Sequence, residues 1–142
     1  MEKTEMAKLM VGVTTIAVLG AKDVPGHPVD TVGRFLLAAG FTVFPVHPNR
    51  KTVWGLPAYP TLADVPIAID LVNVFRASEH CAGHARECLR LLALPRVFWM
   101  QEGITSPEAG NILAMSGIKV VEDACLMVEY KNLHPGRVKD VS

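Results

Sequence analysis

The chain has 142 residues, half of them apolar, with 14 Lys and Arg set against 14 Asp and Glu. That length suits one domain with a substantial core, and the balanced charge gives no electrostatic reason to expect nucleic acid as a partner. No apolar run approaches the roughly 20 residues of a membrane span, and the first residues lack the pattern of a signal peptide. The three cysteines form no disulfide framework, so the sequence reads as a cytoplasmic protein with no membrane partner.

Residues 1–12 read as an N-terminal extension, with Met6, Leu9 and Met10 placed for a short helix. Thr15 to Gly20 is the first predicted strand, and a Pro- and Gly-rich loop follows it. A helix is expected from Pro28 to Ala39, because Val29, Val32, Leu36 and Ala39 recur at helical spacing and Gly40 supplies a stop. Thr42 to Val46 is the second strand. Residues 52–66 carry Gly55, Pro57, Pro60 and Pro66 and read as a long loop with one helical turn at Thr61 to Asp64. The continuous apolar run Ile69 to Phe75 suits a strand covered on both faces. Ser78 is placed to cap a helix over Glu79 to Leu92. Arg96 to Met100 is the fourth strand, and Thr105 to Glu108 has the spacing of a capping box for a helix ending at Gly117. Lys119 to Val121 is the fifth strand, followed by an apolar stretch to Tyr130.

Strands alternating with helices predict an α/β fold. The expectation is a Rossmann-like three-layer sandwich: a mainly parallel five-stranded sheet, helices on both faces, a domain over residues 13–131 and a tail over residues 132–142.

Ligands of such sheets bind beyond the carboxyl ends of the strands. That edge collects Gly20-Ala21-Lys22, His47-Pro48-Asn49-Arg50-Lys51, Phe75-Arg76, Gln101-Glu102-Gly103 and Asp123-Ala124-Cys125. These are also the turns that any α/β protein has. Three details favour a ligand. Gly26-His27-Pro28 offers no capping side chain, which leaves helix N–H groups for an anion near Lys22, although Asp30 would repel one. The G-x-G-x-x-G cradle of dinucleotide folds is absent. The acid that would bind a free ribose 2′-hydroxyl is replaced by Arg50 and Lys51, which suit a ribose phosphate, or are simply a solvated basic loop. Gly20 stands where a phosphate or the backbone of the next turn approaches closely; Gly20→Val is expected to abolish ligand binding in a domain that stays folded.

These residues resemble the small stand-alone CoA-binding proteins, related to the CoA-binding domain of the succinyl-CoA synthetase alpha subunit. The resemblance runs from about Val13 to Lys131. It rests on Val18 to Gly20, Pro28, Val46-His47-Pro48-Asn49, Ala58 to Asp64, Val74-Phe75-Arg76, Trp99 to Gly103 and Asp123-Ala124-Cys125. It implies CoA across the sheet edge, its nucleotide near Gly20 and Pro48-Asn49 and its pantetheine arm passing Phe75, Arg76 and Gln101. The implied cofactor-binding set is Gly20, Ala21, Lys22, His27, Pro28, Val29, His47, Pro48, Asn49, Arg50, Lys51, Phe75, Arg76, Gln101 and Gly103. Family members often carry Ser where Lys22 and Val29 stand, and Arg where His27 stands. Relatives that make acyl-CoA use further domains, for which 142 residues leave no room.

The expected function is therefore binding of CoA or an acyl-CoA without ligation, with a redox or regulatory role open. The alternative is a small NADP-linked oxidoreductase. Cys125, on the ligand edge, is a candidate for thiol exchange with CoA or a small core residue. His80, Cys81, His84 and Cys88 sit on one helix, which cannot aim all four at a metal, so no metal site is expected. Trp54 and Tyr59 cover either the ligand or the core, Trp99 reads as core, and no catalytic set stands out. Exposed apolar residues leave a homodimer open.

Overall fold

The structure is a computed structural model that describes residues 1–134; residues 135–142 of the expected tail lie outside the described residues. The elements, in chain order, are α1 (Lys3–Met10), β1 (Thr15–Leu19), α2 (Pro28–Ala38), β2 (Thr42–Val46), β3 (Thr52–Val53), β4 (Leu56–Pro57), a 3-10 turn (Leu62–Asp64), β5 (Leu71–Val74), α3 (Ser78–Leu89), β6 (Val97–Met100), α4 (Pro107–Leu113), β7 (Lys119–Val121) and α5 (Leu126–Leu133).

The main sheet has the order β2-β1-β5-β6-β7, and every pair in it is parallel. The chain thus builds outward from β1 to β2, then returns to the other side of β1 to lay down β5, β6 and β7. Loops at the ends of β1 and β5 leave in opposite directions, which opens a crevice between them. Ile16 lies opposite both Val43 and Leu71, so β1 is an interior strand and all five of its residues are buried.

Side chains alternate across the sheet. Ile16, Val18, Leu71, Val97 and Trp99 face a core closed by α1, α2 and α5, through Met6, Met10, Val32, Leu36, Leu126 and Tyr130. Ala17, Leu19, Val72, Val74, Phe98 and Met100 face a second core closed by α3, α4 and the 3-10 turn, through Cys81, Ala85, Cys88, Leu113 and Leu62. Each fully buried Leu or Ile contributes about 1.5–3 kcal/mol of transfer free energy. The three layers follow from this double alternation.

Helix α2 ends as its sequence requires. Gly40 takes φ +98, and the N–H groups of Gly40 and Phe41 donate to the carbonyls of Leu37 and Leu36 (both 3.1 Å), so the last turn is satisfied by a left-handed residue. The expected turn at Thr61 is also present, with Thr61 and Asp64 capping each other reciprocally.

Several boundaries differ from expectation for identifiable reasons. Ser78 is the first helical residue of α3 and caps nothing there; its hydroxyl accepts the Thr105 N–H (3.4 Å) and so ties α3 to the loop after β6. The cap of α4 is Ser106, not Thr105: Ser106 Oγ accepts the Ala109 N–H (3.1 Å), while Glu108 pairs with Arg86 (3.3 Å). The helix stops at Leu113, because Ser116 Oγ donates to the Leu113 carbonyl and accepts the Ile118 N–H, making a turn before Gly117. The loop expected over residues 52–66 contains the hairpin β3–β4, too short to show a strand period. The apolar stretch after Cys125 is α5, with Leu126 and Tyr130 one turn apart on its buried face. Met6 and Met10 of the expected extension belong to the core.

Candidate functional site

The carboxyl ends of β1, β5 and β6 and the N-termini of α2 and α5 surround a cavity of about 880 Å³, inside the range of roughly 300–1,000 Å³ typical of small-ligand sites. A second cleft of about 700 Å³ lies at the other end of the strands, between α1, Phe41 and Tyr130. It lacks the switch-point position and the convergent charges of the first.

The floor is set by Gly20. Its φ is +80, and a Cβ there would collide with the backbone carbonyl of Phe75. Its N–H and that of Ala21 donate to the Val46 carbonyl (3.0 and 3.3 Å), so the β1–α2 loop hangs from β2. The glycine is thus required by the approach of β5's own backbone. Gly20→Val is expected to damage the fold itself, which corrects the expectation of a folded, non-binding variant.

Lys22, His47 and Arg76 line the cavity. The Asn49 and Arg50 N–H groups donate to His47 Nδ1 (3.1 and 3.2 Å), so the neutral ring carries its proton on Nε2. Burial, followed by the charges of Arg50, Arg76 and Lys22, lowers the pKa of His47, which keeps it a neutral donor at pH 7. Neither α2, behind His27, nor α5, behind Cys125, has a side-chain cap. Both helix N-termini border the cavity and add positive potential to it. Glu102 is the carboxylate on the lining.

The two carboxylates nearest α2 are already engaged. Asp23 accepts from Arg50 Nη1 (3.2 Å) and from the Trp54 N–H (3.3 Å). Buried Asp30 accepts from Trp54 Nε1 (2.9 Å) and Arg34 Nε (3.0 Å), so its charge is compensated away from the cavity. The indole of Trp54 lies where a Cβ on Gly33 would stand. These contacts strap β3–β4 onto α2 and place Trp54 as a clamp between elements.

Of the residues expected at the site, Gly20, Lys22, His27, Pro28, Val29, His47, Phe75, Arg76, Gln101 and Cys125 are brought together around the cavity. Ala21, Pro48, Asn49, Arg50, Lys51 and Gly103 are not on its lining. Ala21 is buried, and Pro48 and Asn49 are exposed. Arg50 is turned to Asp23, and Lys51 is exposed. The Gly103 N–H donates to Asp123 Oδ1 (2.7 Å), which fixes the loop after β6 against the turn before α5. Asp123 and Trp54 are the two non-glycine residues with positive φ among those described, and both tie down a loop next to the cavity.

Sequence reasoning missed Met127 and Val128 on the lining, because it had no α5, and it missed Asn73 beneath Gln101. Asn73 had a signal: it is the sole polar residue between Leu71 and Phe75. The four metal-like residues of α3 have separate surroundings, with His80 beside Glu79. Cys81 and Cys88 are buried, and His84 is bound to Glu87 (3.0 Å). Among the described residues no group of three or more His, Cys, Asp or Glu is arranged to hold a metal ion, and no helix is long and apolar enough to cross a membrane.

A parallel sheet in this order, with a cationic crevice at its switch point, defines an α/β domain of Rossmann-like fold. The chain belongs to the CoA-binding domain family, which it matches over residues 14–131. It is 34% identical over 128 residues to the uncharacterized protein YneT of Bacillus subtilis, covering 90% of this chain and 93% of that one. A Thermus thermophilus structure has a TM-score of 0.86 at 38% identity, over 94% of this chain and 99% of that one. A hypothetical protein from Pyrococcus horikoshii superposes with a TM-score of 0.88 at 26% identity, over 94% and 92% of the two chains. Family membership supports a CoA-binding role in general.

Proposed function

We propose that the switch-point cavity binds coenzyme A reversibly, as free thiol or acyl thioester, without ligating it. The observation that carries the reading is the convergence of Lys22, Arg76 and the uncapped N-termini of α2 and α5 on one cavity. Such an array suits a pyrophosphate, whose oxygens accept from backbone N–H groups and cationic side chains. Toward β6 and α5 the lining turns to Gln101, Ile104, Cys125 and Met127, a mixed surface suited to an amide-containing arm. The ribose phosphate is assigned to Arg50 and Lys51, in the loop that follows His47, with Arg50 exchanging Asp23 for the ligand. Cys125 on the cavity wall is assigned thiol exchange with CoA disulfide.

Calorimetry with CoA, dephospho-CoA and NADPH tests this. CoA is expected to bind about tenfold tighter than dephospho-CoA, one charge-assisted contact being worth about 1.5–3 kcal/mol before screening and before Arg50 leaves Asp23. Equal affinities would remove the roles of Arg50 and Lys51. Binding of NADPH with no binding of CoA would overturn the reading.

A further inference from the structure

Asn73 is fully buried in β5, opposite Val18 of β1 and Trp99 of β6, in an otherwise apolar strand. Its Nδ2 donates to Gln101 Oε1 (3.2 Å), which also accepts the backbone N–H of Leu126 at the start of α5 (3.4 Å). Gln101 is itself buried and lines the cavity. These bonds determine both amide orientations. The Leu126 N–H is an obligatory donor, so the side of Gln101 facing it must be the carbonyl oxygen. An oxygen there can only accept, so Asn73 must face it with its NH2 group. Asn73 Oδ1 is then left buried with no donor among the described residues. An orphaned buried acceptor destabilises a fold, and an apolar side chain of similar size would not carry that penalty.

The arrangement exchanges stability for orientation. With the Gln101 oxygen held by two donors, its NH2 group remains for the cavity. We propose that Asn73 is a positioning residue: it locks Gln101 so that the Gln101 NH2 donates to a carbonyl oxygen on the amide-containing arm of the ligand. The inference rests on the CoA reading above and deepens it by assigning recognition of the pantetheine arm, as distinct from the nucleotide, to a relay that runs from α5 through Gln101 to the centre of the sheet.

The test compares two probes, CoA and adenosine 3′,5′-bisphosphate, which has no arm. Asn73→Leu is expected to raise Tm by roughly 2–4 °C, as loss of an orphaned acceptor would in a domain of this size. The same variant is expected to weaken CoA about fivefold to tenfold, the equivalent of one neutral hydrogen bond, and to leave the bisphosphate unchanged. Asn73→Ala, which removes both amide groups with no added bulk, serves the same comparison if Asn73→Leu misfolds. Gln101→Met is expected to show the same arm-specific loss, and Asn73→Leu is expected to have no further effect in that background. Unchanged CoA affinity in Asn73→Leu, equal weakening of both probes, or a further loss in the Gln101→Met background would overturn the role of Asn73. If the unmodified protein binds the bisphosphate and CoA equally, the arm makes no contact and the inference fails while nucleotide binding stands. If it binds neither, the CoA reading fails with it.

Discussion

On the α3–α4 side of the sheet, β1, β5 and β6 present Ala17, Leu19, Val72, Val74, Phe98 and Met100 to a closed apolar core. On the α1–α2–α5 side the same strands present Ile16, Val18, Leu71, Val97 and Trp99, but Asn73 interrupts them, and α2 and α5 begin at the rim of a cavity. On the first face the strands present apolar side chains alone, and its polar pair, His84 and Glu87, lies on α3. The second keeps a buried amide within the sheet and a strap held by carboxylates. Stability is concentrated where nothing needs to enter, and chemistry is concentrated where helices stop short of the strand ends.

Truncation of the closed face should give the largest effect. Phe98→Ala removes a fully buried ring and is expected to cost about 3–5 kcal/mol in denaturant unfolding, with CoA affinity of the remaining folded protein unchanged. A parallel loss of affinity would show that the two faces are not separable. Arg76→Ala reverses the pattern. It is expected to weaken CoA by about tenfold or more, as loss of a charge-assisted contact does. Its stability is expected within about 0.5 kcal/mol of the parent.

Thiol chemistry sharpens the same contrast. On the closed face, burial and then the Glu87 charge push the Cys88 thiol up to about 12, and burial followed by Glu122 raises Cys81. Cys125 borders the cavity. With CoA disulfide at pH 8, the Cys125 thiolate is expected to displace one CoA thiolate and retain the other CoA as a mixed disulfide, a single adduct reversed by reductant. Cys125→Ser is expected to lose the adduct and keep reversible binding. Mapping the adduct to Cys81 or Cys88 would break the contrast.

A smaller effect is expected from the far edge of the sheet, which belongs to neither face. Burial raises the pKa of Asp70, but the Thr14 and Thr15 N–H groups, the Thr14 hydroxyl and Arg96 together bring it below the usual carboxylate value. A depressed folded-state pKa stabilises the fold above the unfolded value, and that stability is lost as pH falls through the folded value. The Tm gap between the parent and Asp70→Asn is therefore expected to be full at neutral pH and to close as the medium becomes acidic below about pH 4. A gap that persists in acid would assign Asp70 a role in packing alone.

Much of the architecture was legible residue by residue. Thr42–Val46 and Lys119–Val121 have their expected bounds, and Pro28 opens the expected helix, because run length, Pro at the first turn and Gly at the stop are local signals. The caps of α3 and α4 were misplaced by one residue. Ser78, Thr105 and Ser106 are all capable caps, and choosing among them depends on which hydroxyl faces the neighbouring loop. At the site, Lys22, His47, Arg76, Gln101 and Cys125 were reachable from the rule that loops at strand ends gather ligands. Arg50 illustrates the limit: its charge is visible in the sequence, whereas its pairing with Asp23, 27 positions away, is not.

The sequence by itself determined the order of the five sheet strands and of the helices between them, the parallel sheet, and which loops would meet at one edge, because these follow from periodicity, turn residues and the handedness of crossovers. Only the tertiary structure decided which charges remain available to a ligand, which glycine serves the backbone rather than a phosphate, and how the Asn73 amide came to be held in an apolar strand. The physical reason is that hydrogen bonds and ion pairs are satisfied by whatever the folded chain brings within about 3 Å, and most of those partners lie far apart in sequence.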